Sequence, residues 1–340
     1  MQRFAFPATL SVFLLLPFQP ERPAAELVLA PKQGLVLEKQ SSYRGEVELQ
    51  SVSFSLDGEN IETDGELPLV KNAFAGTVVT TDTYDKVGDG RVLRLLRSFD
   101  ELALHTSFSS PEGDSETDDE SPLEGATVVF DWSDEDEEYR ASFQEEEGEE
   151  EGQELDAALL EDLEQSLDFE LLLPGKEVEE GDEWTLGSEG LRDVLAFGGD
   201  FHIGDDDDSP QGQLIDRAFQ EELEGTATCT YRGTREVDGR ELHVIELRLA
   251  GEGHPEADAK EGDDEIDIDV HRTVDGQMDL EGELLWDNDA GHFAHLELKG
   301  EVEFTINETM NVTSVEEAPE QNVKTTFAGT WELEYTATAP

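Results

Sequence analysis

An aspartate and a histidine stand two positions apart in Gly199-Asp200-Phe201-His202-Ile203-Gly204, the spacing with which metallophosphoesterases open their metal sites. There, a carboxylate and an imidazole hold a cation that lowers the pKa of bound water and makes it a nucleophile. Such a site also needs a Gly-Asn-His segment, which this chain lacks, so the match reads as chance. The neighbouring run Asp205, Asp206, Asp207 and Asp208 offers carboxylate oxygens that suit Ca²⁺, with a plain solvated loop as the alternative. Asp287-Asn288-Asp289 begins like a calcium loop but lacks the glycine and glutamate that complete one, and reads better as a hairpin turn. His292 and His295 are three apart, which on a strand puts them on opposite faces and separates them as ligands. Cys229 sits between Ala227 and Tyr231 on an inward face, the place of a packed thiol rather than a nucleophile. Arg91, Arg94 and Arg97 form the densest basic cluster, suited to pairing with the chain's own carboxylates or, alternatively, to an external anion.

No nucleophile elbow, zinc-protease helix motif, phosphate loop or dinucleotide fingerprint occurs. Carboxylate pairs are too numerous to single out a glycosidase-like couple. No catalytic or cofactor-binding residue is assigned, and a non-enzymatic protein is expected, with Ca²⁺ the one cofactor left open. Asn307-Glu308-Thr309 and Asn311-Val312-Thr313 match glycan acceptors, which matter only in a eukaryotic source.

Strict alternation dominates the elements that would position these residues. Leu296, Leu298, Val302, Phe304 and Ile306 share one face, against Glu297, Lys299, Glu301 and Glu303 on the other. The segments around Met278–Trp286, Phe327–Tyr335 and Ile266–Val270 repeat the pattern. Period two with one charged face predicts half-buried antiparallel strands. Asp238-Gly239, Asp275-Gly276 and 287–291 read as hairpin turns, giving a meander of about six strands over 225–338. Gly282, Gly300 and Gly329 fall on the inward face, as a bending sheet requires. Further strands are expected at 76–84, 125–132 and 138–143, with a bulge at Gln50-Ser51 where the alternation slips, and 90–104 leans towards strand.

Leu155, Leu159, Leu160, Leu163 and Leu167 have helical spacing and predict an amphipathic helix. A shorter helix is expected from Ser188, as N-cap, to Leu195, and a weaker one over 211–223. The acidic stretches 112–124, 144–154 and 255–265 read as exposed loops. The fold class is therefore mainly β: one or more long, curved antiparallel meander sheets or a half-barrel, with one to three short helices.

The chain carries 85 Asp and Glu against 22 Lys and Arg, a formal charge of −63 over 340 residues. Charge of that size opposes compaction and repels nucleic acid backbones and anionic membranes. It suits a saline medium, where the Debye length falls from about 10 Å at 0.1 M to about 3 Å at 1 M. Hydrophobic residues still make up 36% of the chain, enough for a sizeable core. Arg3 followed by the apolar run 4–18 and the small residues Ala24-Ala25 reads as an export signal over 1–25, too short and proline-broken to span a bilayer. Residues 26–340 form the β-rich domain, with 26–144 and 155–340 as two lobes across an acidic loop if it divides at all. The expected site is periplasmic or extracellular.

The segment Leu171-Leu172-Leu173-Pro174-Gly175-Lys176-Glu177-Val178-Glu179-Glu180-Gly181-Asp182-Glu183-Trp184 resembles the mark of a family of uncharacterised, exported bacterial β-rich proteins from planctomycete-like genomes: Leu-Pro…Val-x-x-Gly-Asp-x-Trp. Leu123–Phe130 and Gly282–Asp287 with Gly291 resemble its flanking strand and late hairpin. The resemblance implies a domain of unknown function, so it brings no catalytic residues. Pro174, Gly175, Gly181, Asp182 and Trp184 read physically as two turns and a core anchor. The lipid-anchor cysteine carried by relatives is missing here. Three functions stay open: a binding or structural β domain with lipid or another exported protein as partner, a calcium-dependent adhesion protein, and an unrecognised hydrolase.

Overall fold

The computed structural model describes residues 24–61, 71–88, 90–110, 113–144, 155–161, 163–196, 198–204, 214, 217–262, 266–314 and 321–340. Asp205 to Asp208, the acidic run 145–154 and residues 1–23 of the segment expected to be an export signal lie outside them.

Alternation over long segments produces long strands. In chain order they are β1 (Ala25–Glu26), β2 (Val36–Leu56), β3 (Glu59–Ile61), β4 (Lys71–Gly88), β5 (Arg91–Ser110), β6 (Gly113–Glu120), β7 (Thr127–Ser133) and β8 (Glu138–Phe143). After a central irregular segment come β9 (Glu177–Val178), β10 (Glu183–Leu186), β11 (Glu224–Val237), β12 (Arg240–Gly253), β13 (Glu256–Gly262), β14 (Ile266–Asp287), β15 (His292–Ser314) and β16 (Gln321–Thr338). One antiparallel sheet runs β10-β11-β12-β14-β15-β16-β2-β4-β5-β7-β8, and its end strands do not meet to close a barrel. β13 extends the line of β12 along β14, β6 extends that of β7 along β5, and β3 pairs with β2. A separate pair, β1 with β9, completes the strands. The centre of the sheet is the pairing of β16 with β2, which joins the two halves of the chain.

The six strands β11 to β16 form the expected C-terminal meander, with turns at Asp238-Gly239 and 288–291. Asp238 and Gly239 both take positive φ, 51° and 79°, as a tight two-residue hairpin demands. The expected bulge is present: Ala328 pairs with Ser51 and Gly329 with Leu49, leaving one extra residue on β2. Of residues 90–104, all but Gly90, which turns the chain, are strand within β5.

Asp275-Gly276 is not a turn, because β14 runs straight through it. Gly276 instead admits a ring: a Cβ there would lie 2.7 Å from Cζ of Phe219. Two of the acidic stretches expected as loops also contain strands, β6 and β13. Cross-strand partners account for both. His105 pairs with Asp118 and Ser109 with Asp114 beside β6, while His271 pairs with Asp258 and Lys260 with Asp269 beside β13.

The leucine stripe at 155–167 does not form an α-helix. Ala157–Leu160 is a single 3-10 turn capped by the Asp156 carboxylate, after which Leu163 bridges to Gly199. Leu167, Phe169 and Leu172 are buried against the sheet, and that packing outweighs helical propensity. The helix α1 (Ser188–Leu195) forms as expected, burying Leu191 and Val194, but its N-cap is Gly187. The Ser188 hydroxyl accepts the Gly225 N–H instead, at 3.0 Å. Arg217–Glu221 is one π-helical turn within the third expected helix.

The core lies on the concave side. Inward residues of both halves, among them Leu95, Phe99, Phe130, Leu284, Trp286 and Leu298, pack in one cluster with Phe169, Leu172 and Leu191 of the central segment. The sheet thus curls around its own residues 163–173 and helix α1, which plug the concavity.

Candidate functional site

The plug is fastened by charge. Asp82 on β4 stands directly opposite Arg97 on β5, and Lys39 lies beside them on β2. Arg97 grips Asp82 bidentately, Nε to Oδ1 at 2.8 Å and a terminal nitrogen to Oδ2 at 2.9 Å. Its remaining donors reach the plug, at the carbonyls of Glu164 (3.0 Å) and Gln165 (2.8 Å). Lys39 Nζ bridges Asp82 (2.8 Å) and Asp168 of the plug (2.7 Å), and the Tyr84 hydroxyl donates to Asp168 at 2.9 Å. Asp82, Arg97, Asp168 and Tyr84 are fully buried and Lys39 is 4% exposed, so two cations and two anions cancel away from water.

Burial disfavours the ionised Asp82, yet Arg97 and Lys39 more than offset it and hold the carboxyl at about 2. Burial pulls the Lys39 ammonium down, and Asp168 and Asp82 override it, so its pKa is raised. The Tyr84 phenol is pushed up by burial and by Asp168. These shifts move Asp82, Lys39 and Tyr84 away from neutrality rather than towards it. The next residue, Phe169, is held in the left-handed region at φ 54° by its ring contact with Phe293, centroids 5.0 Å apart. That conformation costs roughly 1–2 kcal/mol in a residue with a Cβ. The cluster is a clasp, and its chemistry is spent on holding the plug.

The outer face has a different feature. Across β15, β16, β2, β4 and β5 it sinks into an open trough of about 630 Å³. Two transverse rows form its walls. In one, Lys299, Glu334 and Arg44 face one another on successive strands, followed by Ala75 and His105. Glu334 takes hydrogen bonds from both Lys299 (3.0 Å) and Arg44, which lower its pKa, and Lys299 also meets Glu297 at 2.5 Å. In the other row Glu301 stands directly opposite Glu332, and Glu332 opposite Glu46, before Ala73 and Ser107. Glu46 meets Lys71 at 2.6 Å. Among the described residues, Glu301 and Glu332 have no ion-pair partner, although like charges directly opposite each other destabilise a sheet.

The residues singled out by sequence fall in separate places. His202 Nδ1 is 3.4 Å from Asp200, with His202 at φ 51°. Among the described residues no three His, Cys, Asp or Glu side chains converge on a metal position. Asp205, Asp206, Asp207 and Asp208 are outside the described residues. Asp287 Oδ1 caps the turn by accepting the Ala290 N–H, and His292 Nδ1 faces the Phe293 carbonyl. Cys229 is buried and free, and burial pushes its thiol up to about 12.

The three arginines end differently: Arg97 in the clasp, Arg94 between Asp85 and Asp131, and Arg91 stacked 3.8 Å over the Trp132 ring. In the Leu-Pro…Trp segment, Gly175 and Gly181 turn the chain at φ 61° and 98°, and Pro174 precedes the first of these turns. Asp182 Oδ2 accepts the Glu179 N–H, and the Gly181 N–H and Asp182 carbonyl join Tyr231. Trp184 Nε1 donates to the Leu172 carbonyl, tying β10 back to the start of the same segment.

Sequence reasoning missed Lys39, Asp82, Asp168 and the Glu301/Glu332 pair. Alternation shows which way each points, but their juxtaposition depends on register between distant strands.

No family model matches this chain, and no curated protein matches it. Among solved structures, it is similar to the Type IV competence pilus secretin PilQ of V. cholerae, determined by single-particle cryo-EM, with 8% identity and a TM-score of 0.15. The match covers 89% of this chain and 59% of the secretin chain. Likeness at that level identifies neither fold nor function.

Proposed function

We propose that this chain is an exported, non-enzymatic binding protein that engages its partner on the outer face of the sheet, at the trough. One observation carries the reading: the buried ionisable groups of the clasp neutralise one another, while the outer concavity retains two carboxylates without counter-charge. The apolar N-terminal segment supports export, and the acidic coat fits a saline exterior. A lipid in the concavity of the sheet is the less favoured partner, since residues 163–173 and α1 pack there and the space beside Lys39, Phe169 and Tyr335 is about 10 Å³.

A thermal-shift panel at fixed ionic strength tests this reading, with organic cations, anions, sugars and fatty acids added to the wild type and to Glu301→Gln/Glu332→Gln. Stabilisation by one ligand class that disappears in the variant is expected. Stabilisation by fatty acid alone, equal in both proteins, would return the function to the concave face.

A further inference from the structure

We infer that β6 is a pH-released edge strand, held on β5 by protonated His105 and let go when that proton leaves. Residues Gly113 to Glu120 include no hydrophobic side chain, so little apolar burial fixes this strand to the sheet. Five of them, Asp114, Glu116, Asp118, Asp119 and Glu120, are acidic in a chain that already carries −63. Repulsion pulls β6 outwards, and backbone pairing with β5 and polar side-chain contacts oppose it. Among the described residues two such contacts cross from β5. The Ser109 hydroxyl donates to Asp114 at 2.7 Å, a bond that does not change around neutral pH. His105 stands directly opposite Asp118, Nδ1 to Oδ1 2.7 Å, and this pair does change. An imidazolium attracts the carboxylate, whereas a neutral ring offers it a plain hydrogen bond.

The other acidic edge strand, β13, makes the contrast. It has a matching pair, His271 with Asp258 at 2.9 Å, but Lys260 also meets Asp269 at 2.9 Å, and Ala257 and Ala259 are partly buried. Lysine keeps its charge through this pH range, so β13 has a fixed clamp where β6 has a titrating one. Around His105, Glu116 and Glu120 flank Asp118 on the same face of β6. On β4, Ala73, Ala75 and Thr77 bring no charge, and Lys71 further along pairs with Glu46. Arg44 is two strands away, about 10 Å, and Glu101 lies four residues along β5 itself. Carboxylates prevail in these surroundings. The hydrogen bond to Asp118, then the charges of Asp118 and Glu116, raise the His105 pKa above its ordinary 6.5.

Proton binding and strand attachment are thereby linked. The hold is complete below pH 6.5 and is lost as pH rises through the raised value. Release leaves β5 without its partner over Ala103–Ser110, an open edge on which another strand can pair. It also loosens the end of the trough that His105 and Ser107 line.

Hydrogen–deuterium exchange of the full chain tests the release, read by mass spectrometry over 113–120 in low salt at pH 5.5 and 8 and corrected for intrinsic exchange. Protection in the wild type should fall about two- to fivefold at pH 8, the ratio that one surface ion pair supplies. It should be low at both pH values in His105→Gln and high at both in His105→Lys, where the charge is fixed. Equal protection at both pH values in the wild type overturns the inference, as does the same fall in His105→Gln. A second measurement is independent of exchange. The His105 titration midpoint, followed by NMR through its ring protons, should lie above 6.5 and drop in Asp118→Asn. A midpoint indifferent to Asp118→Asn overturns the inference as well.

Discussion

Replacing Asp168 by asparagine removes one of two anions from the clasp while keeping its size. Lys39 and Arg97 then face Asp82 alone, and the protein buries one uncompensated positive charge. Removing one partner of a buried pair costs about 3–5 kcal/mol, against a typical total stability of about 5–15 kcal/mol. The amide still accepts from Tyr84, so the lower end, about 3 kcal/mol, is expected. With a urea slope of about 3 kcal/mol/M, the midpoint should fall by about 1 M. A companion variant makes the cause explicit. Lys39→Met/Asp168→Leu/Tyr84→Phe removes one cation, one anion and the dependent hydroxyl together, leaving Arg97 balanced by Asp82. It should regain most of the lost stability. A loss below about 1 kcal/mol in Asp168→Asn, or a triple variant no better than the single, would refute the clasp.

Asp82 adds a pH signature. Its folded pKa is held at about 2 against an ordinary 3.8, so its stabilisation is complete above pH 3.8 and is lost as pH falls through about 2. The depression corresponds to about 2 kcal/mol. Urea midpoints measured at pH 5, 3.5 and 2.5 should decline in that window in the wild type and stay flatter in an Asp82→Asn protein that folds.

Melting temperature at pH 7 should rise with NaCl as the −63 coat is screened, and indifference to salt would point to specific cation sites instead. Cys229 should resist an aromatic disulfide reagent in the native state and react fully in urea, because burial raises its thiol to about 12; rapid native labelling would contradict its placement. Gly282→Ala should destabilise by about 2 kcal/mol or more in urea titration, since its Cβ would lie 1.8 Å from the Glu297 carbonyl oxygen; a midpoint equal to wild type would show that β14 and β15 pair differently there.

The strands, the bulge at Gln50, the turns at Asp238-Gly239 and 287–291, and α1 were legible because each rests on neighbours in sequence. The failures have a common origin. Leu155–Leu167 has helical spacing, yet its leucines serve a segment threaded through a concavity whose existence depends on the whole sheet. Gly276 looked like half of a turn because nothing local reveals that Phe219 will lie on it. The acidic stretches at β6 and β13 looked unfoldable alone and are strands because β5 and β14 offer them partners. The clasp was half legible: Arg97 pairs internally as one reading of the basic cluster had it. Lys39 and Asp82 are 43 positions apart, and Asp168 comes from another element altogether.

The pairing of β2 with β16 has a consequence for how the chain finds this structure. Ser42 and Thr336 share a hydrogen bond across 294 positions, so the middle of the sheet is also its contact of longest range. Contacts of that kind form late and slowly, since a long loop must close before they contribute. Until β16 arrives, β2 and β15 each present a strand of about twenty residues with one unpaired edge, open to any neighbouring molecule. A coat of like charge repels such neighbours during that interval, which makes the acidity as useful to the folding chain as to the finished one.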